Sequence, residues 1–295
     1  MPYVRVRGID LHYREYGSPA DPPLVLAHGL LGSIAFMARF DEHPEQIAAR
    51  GLHVIAYDAR GHGRSGFTPR RRDYRWDSHA EDLFAFMQAL EIPRASIAGG
   101  SMGAGTALML ALAHPKCVDK LILRAPPPFG DDLKPVRRMF GGLATLYQLV
   151  GSAATARIVS ALPSMRNLQE DNTSNDLRSF FRSQRRAAVV PAIRGLLLDK
   201  AQIDPARFAA VHHRTLILTH PGDVLHPLRS GELLHNVMPH ASLAVAPSRT
   251  YWQENPEALT HVVASFALGQ TVAEGLPGSR LHEHGEPMPS AAPAP

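Results

Sequence analysis

Short runs of consecutive apolar residues recur along the chain, and each is followed by residues typical of turns. The runs cover residues 23–27, 53–57, 95–98, 120–123, 215–218 and 242–245. Because both alternating sets of side chains in these runs are apolar, they predict strands that are covered on both faces. Segments with helical periodicity lie between them, at 78–90, 103–113 and 256–268. Alternation of strand and helix predicts an α/β fold with a mainly parallel sheet.

Two segments depart from this alternation. Near the start, residues 3–7 and 9–16 alternate polar and apolar positions and meet at Gly8, which predicts an antiparallel hairpin at the sheet edge. After Arg124 the pattern becomes helical from 126 to 207, most clearly at 140–149 and 177–190, and the strands resume at Thr215. An insertion of this size between two strands predicts a helical cap over the carboxyl ends of the strands. We refer to residues 126–207 as the cap.

The pattern divides the chain into four parts. Residues 1–125 and 208–270 are predicted to form the core sheet, on either side of the cap. The last 25 residues hold five prolines and three glycines. Such a segment buries too little apolar surface to offset its ordering entropy, so disorder is expected for 271–295.

Composition narrows the range of functions. The chain has 295 residues, of which 45% are hydrophobic and 20% charged, and this excludes a chain that is disordered over its whole length. Its formal net charge of +4 is too small to argue for nucleic acid by itself. A single cysteine, Cys117, permits no intrachain disulfide and no zinc motif, so a reducing compartment, the cytoplasm by default, is expected. No run reaches the roughly 18 apolar residues of a membrane helix.

The cap carries more than the whole net charge. Between 126 and 207 there are twelve Lys or Arg and seven Asp or Glu. A solvated basic face is one interpretation, and attraction for an anionic substrate, partner or membrane surface is the other.

The most informative motif is Gly99-Gly-Ser101-Met-Gly103, which follows an apolar strand and opens a predicted helix. In this setting Gly-x-Ser-x-Gly forms a nucleophile elbow, in which a serine is lifted out of the sheet on a sharp turn. The start of the helix directs backbone N–H groups and positive dipole towards that serine.

These residues resemble the α/β-hydrolase superfamily over roughly residues 1–270. Two further motifs match in the expected order: His28-Gly-Leu30-Leu-Gly after the first buried strand, and Asp58-Ala-Arg-Gly-His-Gly-Arg-Ser after the next. The resemblance implies a mostly parallel sheet of the eight-stranded type with helices on both faces, an inserted helical lid and no cofactor or metal. It also implies an oxyanion hole made by the N–H groups of Leu30 and Met102.

The segment from Thr215 to Pro227 resembles the family's penultimate strand and acid loop. By that resemblance Asp223 is the candidate acid, which orients a histidine and stabilises its charged form. An aspartate in an ordinary loop turn beside Gly222 is the alternative.

The family's catalytic histidine is missing from its usual place. Counting back from Pro256 puts Arg249 there, and residues 241–260 contain no histidine. A guanidinium has no acceptor lone pair and cannot take a proton from Ser101. Arg249 is instead expected to pair with Asp223 or to present positive charge to the substrate. His226, three residues beyond Asp223, is the alternative base.

Three functions remain open on this evidence. One is hydrolysis or transfer of a small ester, thioester or carbonyl group through Ser101. Another is a non-hydrolytic lyase, cyclase or isomerase that uses the same pocket, and the third is a silent ligand-binding member of the fold. Candidate pocket-lining side chains are those of His28, Phe36, Phe129 and Trp252, with ordinary core packing as the alternative.

Overall fold

The computed structural model describes residues 2–40, 42–162, 174–199, 203–272, 276 and 280–283, and these contain one mixed sheet of nine strands. The strands are β1 (Tyr3–Val6), β2 (Ile9–Tyr16), β3 (Pro23–Ala27), β4 (His53–Tyr57), β5 (Ala95–Gly100), β6 (Val118–Arg124), β7 (Thr215–Thr219), β8 (Ala241–Val245) and β9 (Arg280–His282). Their order across the sheet is β1-β2-β4-β3-β5-β6-β7-β8-β9. The six strands from β4 to β8 in this order pair in parallel, and the pairs at both edges are antiparallel.

Helices connect the parallel strands and cover both faces. The α-helices are α1 (Pro44–Ala48), α2 (Trp76–Ala89), α3 (Met102–Ala113), α4 (Leu133–Ser160), α5 (Ser174–Arg182), α6 (Arg186–Leu197), α7 (Leu228–Val237), α8 (Tyr251–Glu254) and α9 (Pro256–Ala267). Short 3-10 helices occupy Ile34–Phe40, Arg71–Tyr74, Pro115–Cys117, Gly130–Asp132 and Pro205–Ala210. In the described part of the chain, no helix is both long enough and apolar enough to cross a membrane.

The amino-terminal hairpin forms as predicted. Val6 pairs with Ile9, which leaves a two-residue turn made by Arg7 (φ 42°) and Gly8 (φ 86°). A positive φ at both central residues is the geometry that matches the right-handed twist of the flanking strands.

The two faces of the sheet support two separate apolar cores. Val25, Ile97 and Leu121 lie in the core that includes side chains of α2 and α3. Leu24, Ile122 and Leu218 alternate with them and lie in the core that includes side chains of α9. Burial on both faces explains why both alternating sets of positions in the central strands are mostly apolar.

The helices α4, α5 and α6 stand between β6 and β7 and share a third apolar cluster. Tyr147 is fully buried in it and donates a hydrogen bond from its hydroxyl to the carbonyl of Phe181, at 2.9 Å. α4 is interrupted at Gly151 (φ 74°, ψ 175°). Leu31, from the loop after β3, is buried in the same cluster, so these helices pack directly on that loop.

The expectation of disorder throughout 271–295 is wrong for the described part of this segment. β9 pairs antiparallel with β8, and Val272 and Leu276 are buried against the core of the α9 face. β8 would otherwise be an edge strand with unpaired backbone groups, so even a short strand gains hydrogen bonds there. The strand also raises the count to nine, where an eight-stranded type of sheet was expected. Residues 273–275, 277–279 and 284–295 lie outside the described residues.

Candidate active site

Ser101 stands on a sharp turn between β5 and α3. Its backbone has φ 52° and ψ −110°, a left-handed conformation that non-glycine residues adopt only when the surroundings enforce it. The Ser101 N–H donates to the carbonyl of Arg124 at 3.0 Å, which holds the turn against β6. A Cβ at Gly99 would collide with the backbone of Gly103, and one at Gly103 with the carbonyl of Ala27. Both glycines of the elbow motif are therefore required by close backbone packing.

The loop between β7 and α7 carries a carboxylate and an imidazole, and the imidazole reaches Ser101. His226 Nε2 lies 2.8 Å from Ser101 Oγ. On the other side of the ring, His226 Nδ1 lies 2.8 Å from Asp223 Oδ2. The carboxylate can only accept this bond, so Nδ1 carries the proton and Nε2 presents a lone pair to the serine.

Backbone groups of the same loop hold Asp223 in place. Its Oδ1 accepts hydrogen bonds from the N–H of Leu225 at 2.7 Å and from the N–H of His226 at 3.2 Å. Burial by itself would raise the pKa of Asp223, but the hydrogen bond and charge of His226, with these two amides, lower it to about 2. The carboxylate is therefore ionised at any pH at which the protein is ordinarily studied. A second imidazole, His220, lies farther away, with Nε2 3.9 Å from Asp223 Oδ2.

The structure corrects the expectation for Arg249. This residue lies between β8 and α8 with an exposed side chain, and it forms no ion pair with Asp223 or with any other described carboxylate. His226 occupies the space between the serine and the acid. Counting along the chain located the position after the last strand, but it could not show that a histidine three residues beyond the acid turns back towards β5. The alternative base, His226, is the one with the right geometry.

The amides predicted to form an oxyanion hole belong to the two segments that adjoin the serine. Met102 is the first residue of α3, where an N–H has no acceptor within its own helix. Gly29 approaches the serine so closely that a Cβ there would lie 3.4 Å from Ser101 Cβ, and Leu30 is the next residue. Within the described residues, neither the Leu30 nor the Met102 N–H donates a hydrogen bond. The roles of these two amides remain a prediction.

The four predicted pocket residues have different surroundings. His28 is 3% exposed, and its Nδ1 donates to the carbonyl of Gly29 at 2.8 Å while its Nε2 accepts from the N–H of Ala59 at 3.0 Å. Burial lowers the pKa of His28, so the ring is neutral and has no nitrogen left for a substrate. Phe36 is half-buried and packs edge-to-face on Phe180 of α5, with ring centroids 5.2 Å apart.

Phe129 and Trp252 belong to the two cores. Phe129 packs with Phe208 at a centroid distance of 6.1 Å, and Trp252 is 3% exposed in the core on the α9 face. This packing favours the alternative that both are ordinary core residues, and their place in the substrate pocket stays a prediction. Both are large and apolar, and sequence position alone does not distinguish a core residue from one that lines a pocket.

Sequence analysis missed Gln184, which ties the cap to the loop after β3. Its buried side-chain amide donates to the carbonyl of Leu31 at 2.9 Å and to the carbonyl of Phe180 at 3.1 Å. Leu31 itself has φ 67°, so the loop conformation is strained and this bond helps to maintain it. The two partners are 153 residues apart, and no local sequence pattern indicates the contact.

Comparison with known proteins places this chain in a family. The model of the alpha/beta hydrolase fold family matches residues 22–197. A Caulobacter vibrioides protein assigned as the carbamate hydrolase RutD is 28% identical over 275 residues, which cover 88% of this chain and 96% of that protein. The 2-hydroxymuconate semialdehyde hydrolase of Pseudomonas sp. strain CF600 is 27% identical over 267 residues, with coverage of 88% and 89%.

Solved structures show the same fold. The crystal structure of the enol-lactonase from Burkholderia xenovorans LB400 superposes with a TM-score of 0.74 at 22% identity, covering 90% of this chain and 99% of that one. The predictions of fold class and of a hydrolase-type enzyme are confirmed at the level of the family. This chain belongs to the α/β-hydrolase fold family.

Proposed function

We propose that the protein is a serine hydrolase that cleaves a small carboxylic ester or lactone through an acyl-enzyme. In this proposal Ser101 is the nucleophile, His226 the general base and Asp223 the group that orients it. The observation that carries the proposal is the unbroken chain of two 2.8 Å contacts from Asp223 through His226 to Ser101 Oγ. A base within hydrogen-bond reach of the proton it removes is the first requirement of such chemistry.

The geometry supports an ordinary sequence of proton transfers. His226 Nε2 takes the proton of Ser101 as Oγ attacks the carbonyl carbon, and the negative oxygen that develops is stabilised by the Leu30 and Met102 N–H groups. The imidazolium then gives its proton to the leaving alkoxide, and the acyl group stays on Oγ. A water molecule, deprotonated by the same Nε2, then attacks the acyl carbon. The bond to Oγ breaks as the imidazolium returns the proton to Oγ, and the acid product leaves. Asp223 remains ionised throughout and stabilises the imidazolium.

Acid and base come from one loop in this proposal, three residues apart. The bond between Asp223 and His226 therefore depends on the conformation of one local turn and not on the packing of two distant loops. Gly222, at the start of this turn, has φ 78°. Contact with Ser101 depends on the packing of this loop over the end of β5. The non-hydrolytic alternatives rested on a missing base, and the position of His226 removes that reason for preferring them.

The substrate class is proposed from the site and from the relatives. Two similar proteins are named an enol-lactonase and a semialdehyde hydrolase, and a carbonyl substrate fits a serine next to the two amides predicted to form the oxyanion hole. An anionic substrate, proposed from the basic cap, has weaker support. Arg137 donates hydrogen bonds to the carbonyls of Leu197 and Asp199 within the cap. Arg185 donates one to the carbonyl of Ser65. These two cations therefore hold the cap in place.

Hydrolysis of p-nitrophenyl acetate and of a small lactone tests the proposal. We expect His226→Gln to lower kcat/KM by about a thousandfold, because general-base catalysis contributes about 10²–10⁴. His220→Gln is the matched control, since it removes an imidazole from the same loop that lies 3.9 Å from Asp223 Oδ2, and we expect less than about a tenfold change. Equal losses in the two variants, or an active Ser101→Ala variant, would contradict the proposal.

A further inference from the structure

A cavity of about 410 Å³ opens on the face of the protein formed by the β1–β2 turn and the loop that leads to the 3-10 helix Arg71–Tyr74. It is lined by Arg7 and Gly8 of the turn, by Arg60, and by Thr68, Arg70 and Asp73. We call it the arginine cavity. None of its lining residues belongs to the serine elbow or to the loop that carries Asp223 and His226.

The charge of the arginine cavity is unbalanced towards positive. Three arginines line it, and Asp73 is its one lining carboxylate. Behind the wall, Asp82 is 2% exposed and pairs with two of the arginines: Oδ1 lies 2.8 Å from Arg7 Nη1, and Oδ2 lies 2.6 Å from Arg60 Nε. One carboxylate thus pairs with two guanidinium groups. Arg70 is exposed and forms no ion pair within the described residues.

Arg60 is the fixed element of the cavity. Its side chain is 4% exposed, and its Nε and Nη2 atoms both bond to Asp82, at 2.6 Å and 2.8 Å. Burial would lower the pKa of Arg60, but the hydrogen bonds and charge of Asp82 raise it, so the group stays cationic. Its Nη1 makes no hydrogen bond within the described part of the chain. This guanidinium is buried and held in place, and it keeps one unused N–H donor beside an open cavity. It can therefore bind an anion with little further loss of conformational entropy.

The opposite wall is also held in place. The Thr68 hydroxyl donates to Asp73 Oδ2 at 2.7 Å, and the buried Tyr74 donates from its hydroxyl to the Thr68 carbonyl at 2.8 Å. Arg70, which follows Thr68 by two residues, is therefore presented from a fixed loop. Planar guanidinium forks match the oxygens of phosphate and form charge-assisted hydrogen bonds with them.

We propose that the arginine cavity binds a phosphate group, with Arg60 as the buried anchor and Arg7 and Arg70 closing around it. Its volume lies within the range of about 300–1,000 Å³ found for small-molecule sites, which is more than a bare phosphate fills. A small phosphomonoester is therefore the expected form of the ligand, with free phosphate as the other source of the same chemistry. The proposal is independent of the esterase activity proposed above.

Isothermal titration calorimetry on the full chain, with phenyl phosphate and inorganic phosphate in buffers of matched ionic strength, tests the proposal. We expect phenyl phosphate to bind the wild-type protein and Arg70→Gln to weaken it about tenfold, the loss of one charge-assisted contact. Asp73→Asn removes the repelling carboxylate, so it should tighten binding about threefold. Arg71→Gln removes the same charge one residue away, outside the lining, and should leave binding unchanged.

The outcomes separate the possibilities. Tighter binding of phenyl phosphate than of inorganic phosphate would identify a phosphomonoester as the ligand, and equal binding would identify free phosphate. The proposal is overturned if neither compound binds at millimolar concentration. It is overturned equally if Arg71→Gln weakens binding as much as Arg70→Gln does, because the attraction would then be a diffuse surface effect.

Discussion

The buried histidine His79 makes the stability of this protein sensitive to acid. It lies in α2, is 2% exposed and packs edge-to-face on the ring of Tyr74. Burial lowers its pKa from 6.5 to about 4, and the nearby cation Arg60 acts in the same direction against the opposing charge of Asp82. The folded protein therefore keeps this ring neutral at a pH at which the unfolded chain binds a proton.

The sign and size of the effect follow from proton linkage. Between pH 6.5 and about 4 the unfolded state binds more protons at His79 than the folded state does, so the free energy of unfolding falls as the pH falls. A pKa lowered from 6.5 to about 4 corresponds to about 3 kcal/mol over the whole window, at about 1.4 kcal/mol per pH unit. That is a large fraction of the 5–15 kcal/mol typical of folded domains.

Urea denaturation of the wild type and of His79→Phe at pH 7 and pH 4.5 measures this contribution. Phenylalanine keeps a ring in the site and does not titrate. We expect the wild type to lose about 2–3 kcal/mol more than the variant between the two pH values. The buried ring of His62, whose pKa is also well below normal because of burial, should leave part of the acid sensitivity in the variant. Identical losses in the two proteins would refute the reasoning.

Three further results are expected. Asp223→Asn should lower kcat for ester hydrolysis by about 10⁴-fold, as loss of the orienting carboxylate does in other triads. The pH profile of wild-type activity should show no titration of Asp223 above about pH 4, because the pKa of this group is about 2. Gly103→Ala should destabilise the fold by about 1–3 kcal/mol in urea denaturation because its Cβ meets the Ala27 carbonyl, whereas Gly142→Ala on open helix surface should not destabilise it. Gln184→Ala should lower the melting temperature and lower kcat/KM several-fold by loosening the loop beside the serine; a change in neither would show that this bond does not support the site.

The parts of the fold that the sequence could predict depend on local patterns. Apolar runs buried on both faces give the parallel strands, and the two-residue turn at Gly8 gives the hairpin. The serine elbow was equally accessible, because its glycines are imposed by backbone contacts within a few residues and by the strand alongside.

Sequence analysis gave the proposed base, His226, only as an alternative, because its position beside Ser101 depends on three-dimensional loop packing. The family pattern directs attention to the segment after the last parallel strand, where Arg249 stands, while His226 reaches Ser101 from 125 residues away along the chain. The same limitation applies to Gln184 and to β9. Each is fixed by a partner that is distant in sequence, and the prolines around β9 obscured a short strand that an open sheet edge can stabilise.

The rate at which an activated fluorophosphonate labels Ser101 tests the central claim most directly, because labelling requires the serine proton to be removed. With His226 as the base, His226→Gln should slow labelling by about a thousandfold, whereas Arg249→Gln should label at the wild-type rate. Wild-type labelling in His226→Gln, or a comparable loss in Arg249→Gln, would contradict the account.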